Sequence, residues 1–187
     1  PYAKAAYDTM TLEQVVEDKC KYSGRDPKSF LSLDEVLKMD DISGENGRFV
    51  RVITAANGKK AFLRIYKDNH VYPYESQIST ALKTLLQEAP MVGFVTGHKE
   101  RSGMDMGEKG YGTFASNKTF RYSLENSGYG VREISLEHPV AEDINIIVLA
   151  DMRSDFTEEE FRNFDAYLER GGNLFILGEP KRQQFMN

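Results

Sequence analysis

Ile144-Asn145-Ile146-Ile147-Val148-Leu149-Ala150 is apolar at every position but one, and it decides how the chain is read. So continuous a run predicts a strand buried on both faces, as in a parallel sheet. Behind it, Thr157-Glu158-Glu159-Glu160 has the form of a capping box, with Phe156 and Phe161 placed as its hydrophobic staple. The helix predicted over 158–170 stops at Gly171-Gly172, and Asn173-Leu174-Phe175-Ile176-Leu177-Gly178 resumes a strand. Strand, helix and strand in this order imply a parallel crossover.

Working outward toward the N-terminus, Met91-Val92-Gly93-Phe94-Val95-Thr96 and Val131-Arg132-Glu133-Ile134-Ser135-Leu136 read as two further strands. Phe120 and Leu124 predict a helix over 117–126 between them, ended by Gly128. Residues 91–187 are therefore expected to form an open α/β domain around a parallel sheet, cut short at its C-terminus. Residues 1–90 read as a smaller α+β portion. Thr11-Leu12-Glu13-Gln14 and Ser32-Leu33-Asp34-Glu35 open two helices with capping boxes. A hairpin is expected over 48–67, with Asn57-Gly58 as a two-residue type I′ turn, and a helix over 75–88, closed by Pro90.

Composition narrows the function. The chain has 187 residues, with 24 Lys and Arg against 29 Asp and Glu, a net charge of −5. That argues against a nucleic-acid partner, which calls for a basic face. Hydrophobic residues at 40% and charged residues at 28% are ordinary for a globular protein. The single cysteine, Cys20, excludes an internal disulfide and a multi-cysteine metal site. No apolar run approaches the ~18 residues that span a bilayer. The chain opens Pro1-Tyr2-Ala3-Lys4, without an initiator Met or an apolar leader, and is expected to be a piece of a longer protein.

In open parallel sheets, ligands collect beyond the carboxyl ends of the strands. That rule selects Thr96-Gly97-His98-Lys99-Glu100-Arg101, Asp151-Met152-Arg153 and Glu179-Pro180-Lys181-Arg182. The candidate binding residues are Gly97, His98, Glu100, Arg101, Tyr111, Asp151, Arg153 and Glu179. Gly103, Gly107, Gly110 and Gly112 in the loop after His98 argue for mobility or for close approach of a partner. No catalytic residue, metal or cofactor is assigned. There is no phosphate-binding Gly-x-x-x-x-Gly-Lys-Ser/Thr and no Gly-x-Ser-x-Gly nucleophile elbow, and His70 and His138 stand in separate turns. The acidic stretch Asp155–Glu160 is read as first-turn charge favoured by the helix dipole. Tyr72-Pro73-Tyr74 is read as a packed corner rather than a recognition patch.

Several of these segments resemble a known family. Val92-Gly93-Phe94-Val95-Thr96-Gly97-His98-Lys99-Glu100 is similar to the strand and "Thr-Gly-His-Gly-Glu" opening of the auxiliary domain in GldG-like ABC transporter proteins, the gliding-motility-associated components and their relatives. Leu124-Glu125-Asn126-Ser127-Gly128-Tyr129-Gly130-Val131 resembles the family's "Leu-Glu-x-x-Gly-Tyr-x-Val", and Tyr167-Leu168-Glu169-Arg170-Gly171-Gly172-Asn173-Leu174 its "Tyr-Leu-x-x-Gly-Gly-x-Leu". Glu75-Ser76-Gln77-Ile78-Ser79-Thr80-Ala81-Leu82 resembles the helix that precedes the His-bearing strand. Two positions depart: Lys99 stands where Gly is usual, and Glu179-Pro180 where Asp-Pro is common.

The resemblance implies a three-layer fold like class I glutamine amidotransferases (flavodoxin-like), without their elbow cysteine. It also implies a non-enzymatic domain on the periplasmic side of the cell inner membrane, anchored by segments outside this chain. Its partners would be ABC permease and ATPase subunits, with a glycan as a possible further ligand. The alternative is a hydrolase or transferase using His98 and Glu100, with Asp151 facing them. A third reading is a sugar-binding module in which Tyr111, His98 and Arg101 supply stacking and hydrogen bonds.

Overall fold

The computed structural model describes residues 8–45, 47–66, 68, 70 and 72–178. The chain divides into two compact units, Pro1–Gly47 and Arg48–Asn187.

In the first unit, α1 (Leu12–Ser23) and α2 (Leu33–Met39) both begin with a complete capping box, Thr11 with Gln14 and Ser32 with Glu35. Gly24, at φ 66°, ends α1 in the left-handed conformation.

The second unit opens with a hairpin, β1 (Val50–Thr54) paired antiparallel with β2 (Lys60–Arg64). Its turn is not the expected two-residue type I′. The Gly58 N–H donates to the Ala55 carbonyl at 2.9 Å, and only Gly58 in this turn takes a positive φ, 83°. That is a type I turn followed by a left-handed glycine, the three-residue hairpin loop. Asn57 keeps a negative φ and spends its side chain accepting from the Lys59 N–H at 3.0 Å. Ala61 and Leu63 of β2 are buried against Ala81 and Leu85 of α3 (Glu75–Leu86).

A four-stranded sheet follows, all parallel: β3 (Met91–Val95), β4 (Gly130–Ile134), β5 (Ile144–Ala150) and β6 (Asn173–Leu177), in the order β4-β3-β5-β6. The chain steps from β3 to β4 on one side, then crosses back to place β5 on the other. The reversal puts a crevice at the carboxyl ends of β3 and β5.

Alternation along the central strands sorts their side chains to two faces. Val95, Ile147 and Leu149 pack with Phe164 and Tyr167 of α5 (Glu158–Glu169). Val92, Phe94, Val148 and Ala150 pack with Ala115, from the one-turn helix α4 (Gly112–Ala115). Two apolar faces are the reason β5 reads as an apolar run broken only at the exposed Asn145.

The helix expected over 117–126 does not form. That stretch is a series of turns ending in a 3-10 turn, Glu125–Ser127. The Asn126 side-chain amide donates to the carbonyls of Asn117, Lys118 and Phe120, at 3.4, 3.2 and 2.7 Å, while the Asn117 side chain accepts from the Thr119 N–H. Asparagine side chains thus take backbone partners that an α-helix would use for itself.

Candidate functional site

The crevice begins where β3 ends. Thr96 continues the sheet by donating its N–H to the Ile134 carbonyl at 2.9 Å. Gly97 then turns at φ 121° and Lys99 at φ 60°, and between them His98 is carried into the protein, only 6% exposed. A left-handed backbone at Lys99 is unfavourable for a side chain with a Cβ, so the surrounding contacts must hold it.

Those contacts are specific. Glu100 folds back to accept from the His98 backbone N–H at 2.6 Å with one oxygen, and its other oxygen lies 3.0 Å from Nδ1 of the ring. On the far side of the ring, Nε2 lies 3.2 Å from Oε2 of Glu160. That same oxygen accepts from the Thr157 N–H at 2.8 Å and hydroxyl at 2.7 Å, completing the capping box of α5. Hydrogen bonds from Thr157, backbone first and hydroxyl second, hold the Glu160 carboxyl below the usual carboxylate range, against the opposing effect of burial; His98 adds to the lowering. Phe156 meets the imidazole edge-on, with ring centroids 5.0 Å apart, and continues into Phe164. The Arg153 N–H donates to the His98 carbonyl at 3.1 Å.

Both ring nitrogens therefore face a carboxylate oxygen, Glu100 on one side at 3.0 Å and Glu160 on the other at 3.2 Å. His98 is only 6% exposed, and each ring nitrogen already has a partner within the protein. Among the described residues, no group of three or more His, Cys, Asp or Glu side chains is arranged to hold a metal ion.

Asp151 does not join His98 and Glu100, as the enzymatic alternative required. It sits at φ 56° with its N–H on the Leu177 carbonyl at 2.8 Å. Its carboxylate pairs with Arg153 at 3.1 Å and Arg101 at 3.3 Å. Arg153, then Arg101, hold its carboxyl below the ordinary range against the effect of burial. Tyr111 heads α4 and packs with the cluster of Val92, Phe94 and Ala115, on the sheet face opposite α5. Glu179 lies outside the described residues.

The loop between His98 and α4 is tied down. A Cβ on Gly103 would stand 2.6 Å from the Phe94 ring, and one on Gly112 2.5 Å from the Asp105 carbonyl oxygen. The partner that these glycines admit closely is the chain itself. Ser102 gathers the turn, accepting from the N–H groups of Met104 and Asp105 at 2.9 and 3.1 Å while its hydroxyl donates to Glu133.

Two features went unread in the sequence. Glu160 was visible only as a helix-capping residue. Arg121 carried no signal, yet it is 5% exposed and lies between the rings of Tyr66 and Tyr74, at 4.5 and 4.6 Å. It pairs with both oxygens of Asp68, at 2.6 and 2.7 Å, and reaches Gln77 at 2.6 Å. The Tyr-Pro-Tyr segment is not the packed corner expected: Tyr74 lies against the Arg121 guanidinium yet is 37% exposed, and Tyr72 is 77% exposed.

The family model described as an ABC-type uncharacterized transport system matches residues 89–187, over half the chain and all of the parallel sheet. The chain belongs to this family. It is an auxiliary component of an ABC transport system, in association with other components of the transporter. No curated protein and no solved structure matches it. None of its described helices is long and apolar enough to cross a membrane. In this ABC transport auxiliary component, His98, Glu100, Arg101, Asp151 and Arg153 all fall within the matched span, as does Glu160.

Proposed function

We propose that this auxiliary component works by docking rather than by catalysis, with the crevice beyond β3 and β5 presented to the permease subunit. The observation that carries the reading is the position of His98 between Glu100 and Glu160, with both ring nitrogens engaged. The crevice histidine instead joins the β3 loop to the start of α5. The paired Arg101, Asp151 and Arg153 form a second fixed cluster beside it. Rigid walls suit a binding surface, because less freedom is lost on association.

The finer placement, as a GldG-like component with an amidotransferase-like fold, is supported by the ordered motifs around His98, Gly128 and Gly171-Gly172. It carries with it a periplasmic location and a membrane anchor outside residues 1–187. The permease is then the direct partner, the ATPase is reached through it, and a glycan is the competing ligand.

Affinity purification of the tagged full-length protein from its native membranes tests the reading. Permease and ATPase subunits are expected to co-purify with it. Recovery of neither, together with saturable thermal stabilisation by a glycan, would overturn it.

A further inference from the structure

Beside the crevice, where the chain leaves β5 and enters α5, the surface opens into a groove of about 630 Å³. Its volume is in the range of sites that hold ligands or short anchoring segments. Met152, Phe156 and Phe161 give it an apolar floor and wall, and Asp155 and Glu158 stand on its rim. Phe161 is 56% exposed, a large cost for a side chain with nothing to cover it. Arg162 also lines the groove, but its Nε donates to the Glu158 carbonyl at 3.2 Å. The rim therefore presents two carboxylates against one cation that is turned to the helix backbone.

We infer that this groove receives a short segment of the permease subunit, an apolar side chain flanked by Lys or Arg. The inference rests on the docking reading and names the partner's chemistry at that same face. The apolar side chain fills the space between Met152 and Phe161, and the flanking cations meet Asp155 and Glu158. Phe156 forms a wall that is already in place, because its ring packs against those of His98 and Phe164. The partner then loses freedom on binding while the groove does not.

The test uses the full chain and synthetic 12-residue peptides tiled across the permease loops, with binding read by fluorescence anisotropy. The tiles that bind are expected to carry an aromatic, Leu or Met side chain beside Lys or Arg. Phe161→Ser should weaken them about tenfold or more, as for a central apolar anchor. The double variant Asp155→Asn/Glu158→Gln should weaken them as well and flatten the salt dependence. Phe175→Ser, at an exposed apolar residue on β6, should leave binding unchanged. Three results would overturn the inference: no tile binding although the permease co-purifies, equal binding to Phe161→Ser, or self-association of the chain that Phe161→Ser abolishes. If the permease fails to co-purify at all, it is the docking reading that falls.

Discussion

His98 and Glu160 lie 62 positions apart in the chain and meet with Nε2 and Oε2 at 3.2 Å in a buried contact. The pair joins the loop after β3 to the first turn of α5. It makes one oxygen of a helix cap serve also as the receptor for a crevice histidine. Removing the ring leaves two carboxylates, Glu100 and Glu160, short of a partner inside the protein. His98→Asn should therefore cost about 2 kcal/mol in urea unfolding, the scale of hydrogen bonds to charged groups. A double-mutant cycle with Glu160→Gln should return a coupling of about 1 kcal/mol. Additive effects would mean that the contact contributes nothing.

Arg121 is held differently, by a bidentate carboxylate and two aromatic faces. Lysine has neither the planar fork nor the flat surface for this position. Arg121→Lys should lower stability by about 2 kcal/mol, even though the charge is kept. An unfolding midpoint equal to that of the parent would show that charge alone suffices.

Acid stability follows from the same pair. Hydrogen bonds from Arg121 hold Asp68 at about 2, against an ordinary value of 3.8. A carboxyl lowered on folding adds stability above its unfolded value and loses it as pH falls through its folded value. The unfolding midpoint should thus drop between about pH 4 and about pH 2. Asp151 and Glu160, also lowered, act in the same direction. Asp68→Asn should flatten this acid limb without abolishing it, and an unchanged limb in the variant would contradict the assignment.

Two glycines in the crevice loop are needed for different reasons. At Gly103 a methyl group has no room beside Phe94, so Gly103→Ala should cost about 1–3 kcal/mol through overpacking. At Gly97 there is open space but φ is 121°, so Gly97→Ala is destabilising through the backbone alone. Phe94→Leu should therefore relieve the first variant and leave the second as it was. Equal relief of both in chemical denaturation would refute the distinction.

What could be read in the sequence was local or strictly periodic. The boxes at Thr11, Ser32 and Thr157 each lie within four residues, and all three form as complete capping boxes. The nearly continuous apolar runs of β3 and β5 likewise announce strands buried on both faces. The hairpin was legible as a hairpin, but its turn type was not, because Ala55 and Gly58 close a longer loop around Asn57. The segment after α4 misled because Phe120 and Leu124 have helical spacing, whereas the backbone there is bonded by the side chains of Asn126 and Asn117. His98 was singled out from its place after a strand, but its partner Glu160 could not be. Nothing in the spacing of residues 98 and 160 marks them as neighbours until the β4-β3-β5-β6 order folds them together.

The docking claim is tested most directly by site-specific photocrosslinking in native membranes. A photoreactive amino acid would replace Arg153, 59% exposed at the side chain beside the crevice, and separately Glu169, at the far end of α5. The account predicts a permease adduct from position 153 and none from position 169. Equal adducts from both positions, or an adduct only from position 169, would contradict it.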